Sequence, residues 1–209
     1  MARGKFISLE GGEGAGKSTQ AKLLRSALEA KGHAVVLTRE PGGAPGAEEI
    51  RKLLVEGEPE RWTPLAETLL FLAARADHVA RTIEPALAAG KWVISDRFAD
   101  STFVYQGIAR GLGMDAVRVM QRDTVGDFQP DLTLVLDVNP HDGLARAGAR
   151  GSGEDRFERF DDGFHGRLRD GFRVIAQAEP QRCALIDGNA GVETVAAGIW
   201  AAVTERLRP

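Results

Sequence analysis

The sequence has little cysteine, little excess charge and no long apolar segment. Its 209 residues include one cysteine, Cys183, so no disulfide can form within the chain and a reducing compartment is expected. The formal net charge of −3 argues against a basic surface for nucleic acid or for an anionic membrane. No apolar run approaches the ~20 residues of a membrane-spanning helix. We therefore expect a cytoplasmic protein without nucleic-acid or membrane partners.

Spacings typical of zinc ligands are also missing, because the four histidines lie far apart in the sequence. The composition is ordinary for a globular protein, with 43% hydrophobic and 27% charged residues. A chain of this length suits one domain with a substantial core. We therefore assign residues 1–209 to a single domain.

Short apolar runs alternate along the chain with stretches whose apolar residues recur at helical spacing. The predicted strands are residues 6–9, 34–38, 91–96, 132–138 and 183–187. The predicted helices are residues 17–31, 45–57, 64–89, 115–125, 140–149, 158–178 and 192–207. Strands this apolar are typical of a parallel sheet that helices cover on both faces. The pattern predicts a three-layer α/β/α sandwich around a five-stranded parallel sheet.

The glycine-rich stretch LEGGEGAGKSTQ lies between the first predicted strand and the first predicted helix. It contains the spacing Gly11-x-x-x-x-Gly16-Lys17-Ser18, the pattern of a phosphate-binding loop (P-loop) in its expected context. Backbone N–H groups would surround phosphate oxygens, Lys17 would reach the β- and γ-phosphates, and Ser18 would ligate Mg²⁺. The sequence therefore predicts a P-loop NTPase-type fold. The residues assigned to the nucleoside triphosphate are Gly11, Gly12, Glu13, Gly14, Ala15, Gly16, Lys17, Ser18 and Thr19.

Two strand ends carry acidic residues that compete for the metal. Asp96 closes the third predicted strand and is followed by Arg97, whereas Asp137 closes the fourth. A carboxylate beside the P-loop would face Mg²⁺, and an arginine next to it suits a second phosphate group. We assign the metal to Ser18 and Asp96 because of Arg97, with Asp137 as the alternative.

Several further motifs, taken with the P-loop, resemble the thymidylate kinase (dTMP kinase) family of the bacterial type. These motifs are EGGEGAGKST, TREPGG, LLFLAAR, VISDRFADSTFVYQG, GDFQPDLTLVLDV and RAGARGSGEDRFE, and they span nearly the whole chain. The resemblance implies phosphoryl transfer from ATP to dTMP, giving dTDP for dTTP synthesis, with Mg²⁺ and a homodimeric assembly. Two alternatives stay open: a kinase for another nucleoside monophosphate, and a P-loop regulator or nucleic-acid-dependent ATPase.

The resemblance also implies an acceptor site for dTMP. Phe71 and Arg75 lie four residues apart, hence on one helix face, where Phe71 would stack on thymine and Arg75 would donate to a carbonyl. Arg97 would hold the dTMP phosphate, and Tyr105 would leave no room for a 2′-hydroxyl group. The other residues assigned to dTMP are Glu13 (at the 3′-hydroxyl), Arg39, Glu40, Pro41, Ser101, Thr102 and Gln106.

A last expectation concerns cations near the transferred phosphoryl group. Some family members carry an arginine directly after the P-loop acid, but this chain has Gly14 there. The resemblance to the bacterial type implies that a mobile lid, at about residues 149–157, supplies arginines instead. The residues assigned to catalysis are therefore Arg150, Arg156, Lys17, Arg97 and Glu13, and Arg146 is assigned to ATP.

Overall fold

The computed structural model describes residues 3–149 and 154–209, which form a five-stranded sheet covered by helices. The strands are β1 (Phe6–Glu10), β2 (Val35–Arg39), β3 (Trp92–Asp96), β4 (Leu132–Asp137) and β5 (Cys183–Asp187). They pair in the order β2-β3-β1-β4-β5, and each of these pairs is parallel.

Helices connect the strands, as parallel pairing requires. They are α1 (Lys17–Ala30), α2 (Pro45–Val55), α3 (Pro64–His78), α4 (Glu84–Ala88), α5 (Ala99–Thr102), α6 (Met114–Val125), α7 (Pro140–Gly148), α8 (Asp162–Ala178) and α9 (Val192–Leu207). A π-helical stretch, Val79–Ile83, joins α3 to α4, a second one, Phe103–Ala109, continues α5, and a 3₁₀ turn, Pro59–Arg61, precedes α3. No helix within the described residues is long and apolar enough to cross a membrane.

Side chains of the sheet feed two apolar layers, because successive residues of a strand point to opposite faces. On one face, Ile7 and Leu9 of β1 pack with Leu28 of α1 and with α9. On the other face, Phe6 of β1 packs with α4 and the π-helical stretch before it, and Val135 of β4 packs with α8. Helices thus cover both faces of the parallel sheet, and the predicted fold class is confirmed.

One helix begins several residues later than predicted, and one helical segment is not predicted at all. Helix α8 begins at Asp162 instead of residue 158, because Asp161 caps it by accepting a hydrogen bond from the Phe164 amide at 2.6 Å. No helix is predicted for residues 99–109, yet α5 and its π-helical continuation lie there. Buried polar side chains such as Thr102 and Gln106 interrupt the apolar stripe that would have revealed this helix.

The carboxyl ends of the parallel strands meet at one edge of the sheet, where open α/β sheets bind ligands. Glu10, Asp96 and Asp137 are the last residues of β1, β3 and β4. Leu9 pairs with Asp96 in the register, so Asp96 lies one strand away from the start of the P-loop. The topology therefore brings the acidic strand ends and the glycine-rich loop to the same edge.

Candidate active site

The P-loop, residues 11–16, connects β1 to α1 and curls around its own lysine. Gly16 has a φ of 89°, a left-handed value that favours glycine, and α1 begins at the next residue. Lys17 Nζ donates to two carbonyl oxygens of the loop, at 3.1 and 2.7 Å. Burial and then the nearby Arg97 guanidinium lower the pKa of Lys17 to about 8. The loop thus places a buried cation at a helix N-terminus, which suits a phosphate group.

Gly14 lies so close to helix α7 that no side chain fits there. Its φ is 64°, and a Cβ atom on it would come within 1.8 Å of the carbonyl oxygen of Gly143. A Cβ atom on Gly143 would in turn lie 2.4 Å from the carbonyl oxygen of Glu13. The backbone contact between the P-loop and α7 therefore requires glycine at the position where some family members carry arginine.

The two oxygen donors assigned to the metal lie side by side. Ser18 Oγ donates to Asp96 Oδ2 at 2.5 Å. The alternative ligand, Asp137, pairs instead with Arg169 and Arg173, each at 2.6 Å. Burial raises the pKa of Asp137, but these guanidinium groups outweigh burial and lower it. The structure thus brings Asp96 next to Ser18 and occupies Asp137 with arginines, while the metal assignment itself stays a prediction.

Arg97 lies between the P-loop and α5 and has a strained backbone conformation. Its φ is 74°, a left-handed value that costs a non-glycine residue on the order of 1–3 kcal/mol. The guanidinium donates to the Gly11 carbonyl oxygen at 2.9 Å, to Ser101 Oγ at 3.1 Å and to Glu13 Oε1 at 2.9 Å. Its Cζ atom also lies 5.0 Å from the ring centroid of Tyr105. These contacts hold the strained residue beside the P-loop.

Glu13, the acid inside the P-loop, is balanced by its neighbours. The Tyr105 hydroxyl donates to Glu13 Oε1 at 2.6 Å, the same oxygen that Arg97 contacts. Burial raises the pKa of Glu13, but Arg97 and Lys17 outweigh burial and hold it at about 2. Glu13 is therefore ionised at neutral pH, and two cations offset its repulsion of a phosphate.

A cavity of about 270 Å³ opens beside the P-loop. Phe157 forms part of its aromatic wall, with ring centroids 6.1 Å from Phe71 and 5.5 Å from Tyr105. P-loop residues and Asp96 line one end of it. The structure brings together here every residue assigned to dTMP: Glu13, Arg39, Glu40, Pro41, Phe71, Arg75, Arg97, Ser101, Thr102, Tyr105 and Gln106.

Arg75 lies at the deep end of this cavity in a bonded network. Its guanidinium is buried and donates to Glu40 at 2.8 Å, to Thr102 Oγ1 at 2.9 Å and to Gln121 Oε1 at 2.8 Å. Glu40 also contacts His78 Nδ1 at 3.0 Å. Burial raises the pKa of Glu40, but Arg75 and His78 outweigh it and lower the pKa. Arg75 is therefore fixed in place by its neighbours.

Two residues assigned to dTMP line the cavity, but their polar atoms contact glutamates outside the cavity lining. Gln106 Nε2 donates to Glu67 at 2.9 Å, and the exposed Arg39 pairs with Glu48 at 3.1 Å. Outside the cavity, Thr19 of the ATP assignment is exposed in the first turn of α1. A direct contact between Gln106 and the base would require its amide to leave Glu67.

The sequence analysis misses the pair of Arg51 and Glu154, which both line the cavity. Arg51 Nε and Nη2 donate to the Glu154 carboxylate at 3.0 and 2.6 Å, and Nη1 donates to the Pro41 carbonyl oxygen at 2.7 Å. No local pattern marks Arg51, and the quoted motif that contains Glu154 does not show the pairing, because the pair joins parts of the chain far apart in sequence. Phe157 is also missed, although it lies inside one of the quoted motifs.

Glu10, at the end of β1, is a further residue near the site that was not predicted. It accepts hydrogen bonds from the Phe98 amide at 2.7 Å and from the Ser101 hydroxyl at 2.6 Å. Burial, and then the nearby Asp100 carboxylate, raise the pKa of Glu10 to about 8. Glu10 therefore supports Ser101, which in turn contacts Arg97.

Arg156, one of the residues assigned to catalysis, makes its hydrogen bonds and its ion pair with α2, α3 and the segment between them. Its side chain is fully buried and pairs with the Glu67 carboxylate. It also donates to three backbone carbonyl oxygens between residues 54 and 59, at 2.6 to 3.0 Å. Because these contacts occupy the guanidinium, Arg156 ties its segment to α2 and α3. Its expected effect on the phosphoryl group stays a prediction without support from its position.

The positions of Arg150 and Arg146, the other two arginines assigned near the transferred phosphoryl group, do not test their assigned roles. Arg150 lies outside the described residues, as do residues 151–153 of the predicted lid. Arg146 is exposed on α7 and donates to the carbonyl oxygen of Gly188 at 3.4 Å. Its contact with ATP therefore stays a prediction.

A P-loop at the carboxyl edge of a parallel sheet, next to an aromatic cavity with cationic ends, defines a P-loop phosphotransferase of the nucleoside monophosphate kinase class. The family model described as thymidylate kinase matches residues 9–199. The chain belongs to the thymidylate kinase family, and the resemblance found in the motifs is confirmed.

Individual relatives agree with this family. A thymidylate kinase of Bradyrhizobium sp. (strain ORS 278) is 56% identical over 207 residues, covering 98% of this chain and 92% of that protein. One of Ruegeria pomeroyi is 52% identical over 204 residues, with 98% and 96% covered. A crystal structure of thymidylate kinase from Ehrlichia chaffeensis has a TM-score of 0.76 and 32% identity, covering 96% of this chain and 99% of that one.

Proposed function

We propose that the protein transfers the γ-phosphoryl group of ATP to dTMP, which gives ADP and dTDP for dTTP synthesis. The observation that carries this proposal is the contact of Glu13 with Arg97 and Tyr105, which joins the P-loop to the aromatic cavity. ATP, the phosphoryl donor, would be held by the P-loop, and dTMP, the phosphoryl acceptor, in the cavity. Their phosphates would meet at Arg97. The family and the relatives named above support the same reaction.

Phosphoryl transfer depends on positioning and on neutralising negative charge. A phosphate oxygen of dTMP attacks the γ-phosphorus, and the bond from that phosphorus to the β–γ bridging oxygen breaks as ADP leaves. Lys17 exchanges its loop carbonyl oxygens for phosphate oxygens, which are stronger, charge-assisted partners. Arg97 holds the acceptor phosphate from the opposite side. Together the two cations offset the repulsion between the negatively charged donor and acceptor phosphates.

Ser18 and Asp96 fit a magnesium ion, which belongs to the same proposal. Mg²⁺ prefers oxygen ligands and keeps several waters, so one or two protein oxygens and the substrate phosphates complete its shell. Residues 3–149 and 154–209 contain no group of three or more His, Cys, Asp or Glu side chains that could hold a metal. That finding agrees with a site which the phosphates complete. Bound there, the ion would neutralise charge on the β- and γ-phosphates.

The cavity suits a thymine base and a deoxyribose. Phe71 offers a ring face, and Arg75 at the deep end offers N–H donors for a carbonyl oxygen. Tyr105 is held by ring contacts to Phe157 and Phe164, with centroids at 5.5 and 6.0 Å. Because the ring is held in place, a 2′-hydroxyl against it would lose its water without gaining a partner. Glu13, next to the Tyr105 hydroxyl, would accept from the 3′-hydroxyl.

The test is ATP turnover with a panel of nucleoside monophosphates: dTMP, dUMP, the ribose counterpart of dTMP, AMP and GMP. We expect dTMP to give the highest kcat/KM, and the ribose counterpart to be disfavoured. Preference for a purine monophosphate would favour the alternative kinase. ATP hydrolysis that requires nucleic acid and no monophosphate would favour the P-loop ATPase.

We also propose that the protein is a cytoplasmic homodimer of single-domain subunits. Leu65 and Leu69 lie one turn apart on α3 and are 49% and 52% exposed. An exposed apolar stripe of this kind marks a protein–protein interface. Sedimentation should give twice the 22.5 kDa of the chain. Leu69→Glu should give a monomer, and Leu185→Glu, at an exposed leucine of β5, is the matched control. A monomeric wild-type protein would contradict the dimer.

A further inference from the structure

A second cavity, of about 230 Å³, lies outside the proposed active site. Among the described residues, it shares no lining residue with the first cavity. The rings of Phe103 and Phe128 and the side chain of Val119 give it apolar surface, and Gln121 and Arg122 of α6 line it as well. Nothing in the proposed phosphoryl transfer uses this cavity.

Gln121 connects the two cavities through its side-chain amide. Its Oε1 accepts from Arg75 Nη1 at 2.8 Å, and Arg75 lines the first cavity. A guanidinium group only donates, so the amide atom that faces it is the oxygen, which fixes the amide orientation. Gln121 Nε2 therefore points away from Arg75. In the described part of the chain this nitrogen has no hydrogen-bond partner, even though Gln121 is buried, with only 6% of its surface exposed.

An unpartnered, buried N–H donor beside aromatic surface indicates what the cavity would bind. Such a donor lowers stability unless an acceptor reaches it, and a carbonyl oxygen is a suitable acceptor. The rings of Phe103 and Phe128 favour a flat apolar partner, and the Arg118 guanidinium already lies 5.9 Å from the Phe103 centroid. A planar molecule with one carbonyl group would satisfy both features.

The charges around the second cavity are balanced, which favours a neutral molecule. Asp100 and Glu179 both pair with Arg182, at 2.6 and 2.8 Å. Arg118 pairs with Asp115 outside the cavity lining, at 3.5 Å. The remaining charged lining residues, Arg122 and Asp127, carry opposite signs. Neither an anion nor a cation would therefore find a surplus of opposite charge.

We propose that this second cavity binds a small, neutral, planar aromatic molecule whose carbonyl oxygen accepts from Gln121 Nε2, and that binding is linked to Arg75 through the same amide. The linkage follows because one side chain contacts both the ligand and Arg75. Any effect on dTMP affinity rests on the proposed function, and must be reciprocal between the two ligands. Binding in the second cavity and the response of Arg75 do not depend on that function.

The experiment is a titration of the full chain with benzamide, followed by ¹H–¹⁵N NMR. We expect shifts of the Gln121 side-chain NH₂ signals and of the Arg75 Nε–H signal. Benzamidine has the same shape, but at neutral pH it is a cation with only N–H donors in place of the carbonyl group, and benzoate is an anion. Both should bind at least about threefold more weakly than benzamide. Equal binding of benzamidine would overturn the role of Gln121 as donor.

Two variants separate the amide from its surroundings. Gln121→Glu keeps an oxygen toward Arg75 but replaces the N–H donor, so benzamide should bind about tenfold more weakly. Gln129→Glu makes the same chemical change at an exposed residue of the same cavity, and should stay within about twofold of the wild type. Benzamide shifts confined to the first cavity, around Phe71, would overturn the proposal. Unchanged affinity in folded Gln121→Glu would do the same.

Discussion

Two glutamate–arginine pairs in this protein show how exposure decides what an ion pair does. Glu13 and Arg97 are 16% and 15% exposed at the floor of the first cavity, whereas Glu67 and Arg156 are fully buried. A pair that a ligand can reach can exchange one partner for a phosphate group. A buried pair cannot, because separating it leaves an uncompensated charge in the interior. We therefore expect the same two residue types to serve substrate binding in one place and folding in the other.

The largest effect should come from breaking the accessible pair. Arg97→Ala should lower kcat/KM for dTMP by about 10³-fold or more, because the acceptor phosphate would lose the cation that offsets its charge; for scale, arginine fingers in phosphoryl transfer are worth about 10³–10⁵ in rate. Steady-state kinetics measures this, and thermal unfolding should show a preserved fold. Arg25→Ala, which breaks the exposed pair with Glu29, is the matched control and should leave kcat/KM unchanged. Near-normal turnover of Arg97→Ala would place the acceptor phosphate elsewhere.

Breaking the buried pair should instead affect folding. Arg156→Ala should lower the free energy of unfolding by about 3–5 kcal/mol, because the buried Glu67 carboxylate would lose its direct partner and keep only Arg110, at 3.8 Å, as a nearby cation. Urea unfolding measures this, and Glu67→Leu combined with Arg156→Met should recover much of the loss. The lid hypothesis expects the opposite pattern, in which Arg156→Ala keeps its stability and loses kcat. That outcome would show that Arg156 leaves its buried position during the reaction.

The pH dependence of kcat/KM for ATP tests the charge of Lys17, which lies close to Arg97 of the accessible pair. Lys17 has a pKa of about 8 in the folded protein, below its ordinary 10.5, so its positive charge is lost as the pH rises through 8. We expect kcat/KM for ATP to fall above pH 8, by up to about tenfold per pH unit. Folding stability should change with the opposite sign, increasing between pH 8 and 10.5, because the folded state favours the neutral amine. A flat kcat/KM profile to pH 10 would show that Lys17 keeps its charge.

The smallest effect concerns Tyr105, whose hydroxyl contacts Glu13 of the accessible pair. Tyr105→Phe removes the hydroxyl that donates to Glu13 but keeps the ring, so kcat/KM for dTMP should fall about tenfold. Preference for deoxyribose over ribose should persist in this variant and narrow in Tyr105→Ala, because the ring excludes the 2′-hydroxyl. Kinetics with dTMP and its ribose counterpart measures both effects. Loss of the preference in Tyr105→Phe would assign it to the hydroxyl.

The same comparison explains what the sequence could predict. Glu13, Arg97 and Tyr105 lie in motifs that resemble the family, and that resemblance implied their assignment to the acceptor site. The predicted acceptor residues accordingly line one cavity. Arg156 and Glu67 come from distant parts of the chain, and only tertiary packing brings them together. A motif can place Arg156 in a charged loop, but it cannot show that Glu67 and backbone carbonyl oxygens occupy that arginine.

Strand positions were predictable for a related reason. Apolar, β-branched runs are buried on both faces, so their composition alone marks β3 and β4. Helix α5 and its π-helical continuation were missed because Thr102 and Gln106 are buried polar residues that line the cavity and interrupt the apolar stripe. Local rules fail there because the segment serves the cavity as well as the core.

The contact between Gly14 and Gly143 also restricts how this enzyme can evolve. An arginine at position 14 would collide with the backbone of α7, so the helix would have to move before that substitution could be tolerated. Moving α7 first would remove its packing against the P-loop while the loop still lacked the extra charge. A side chain at either Gly14 or Gly143 thus requires a shift of the backbone at the other, although the two glycines lie far apart in sequence.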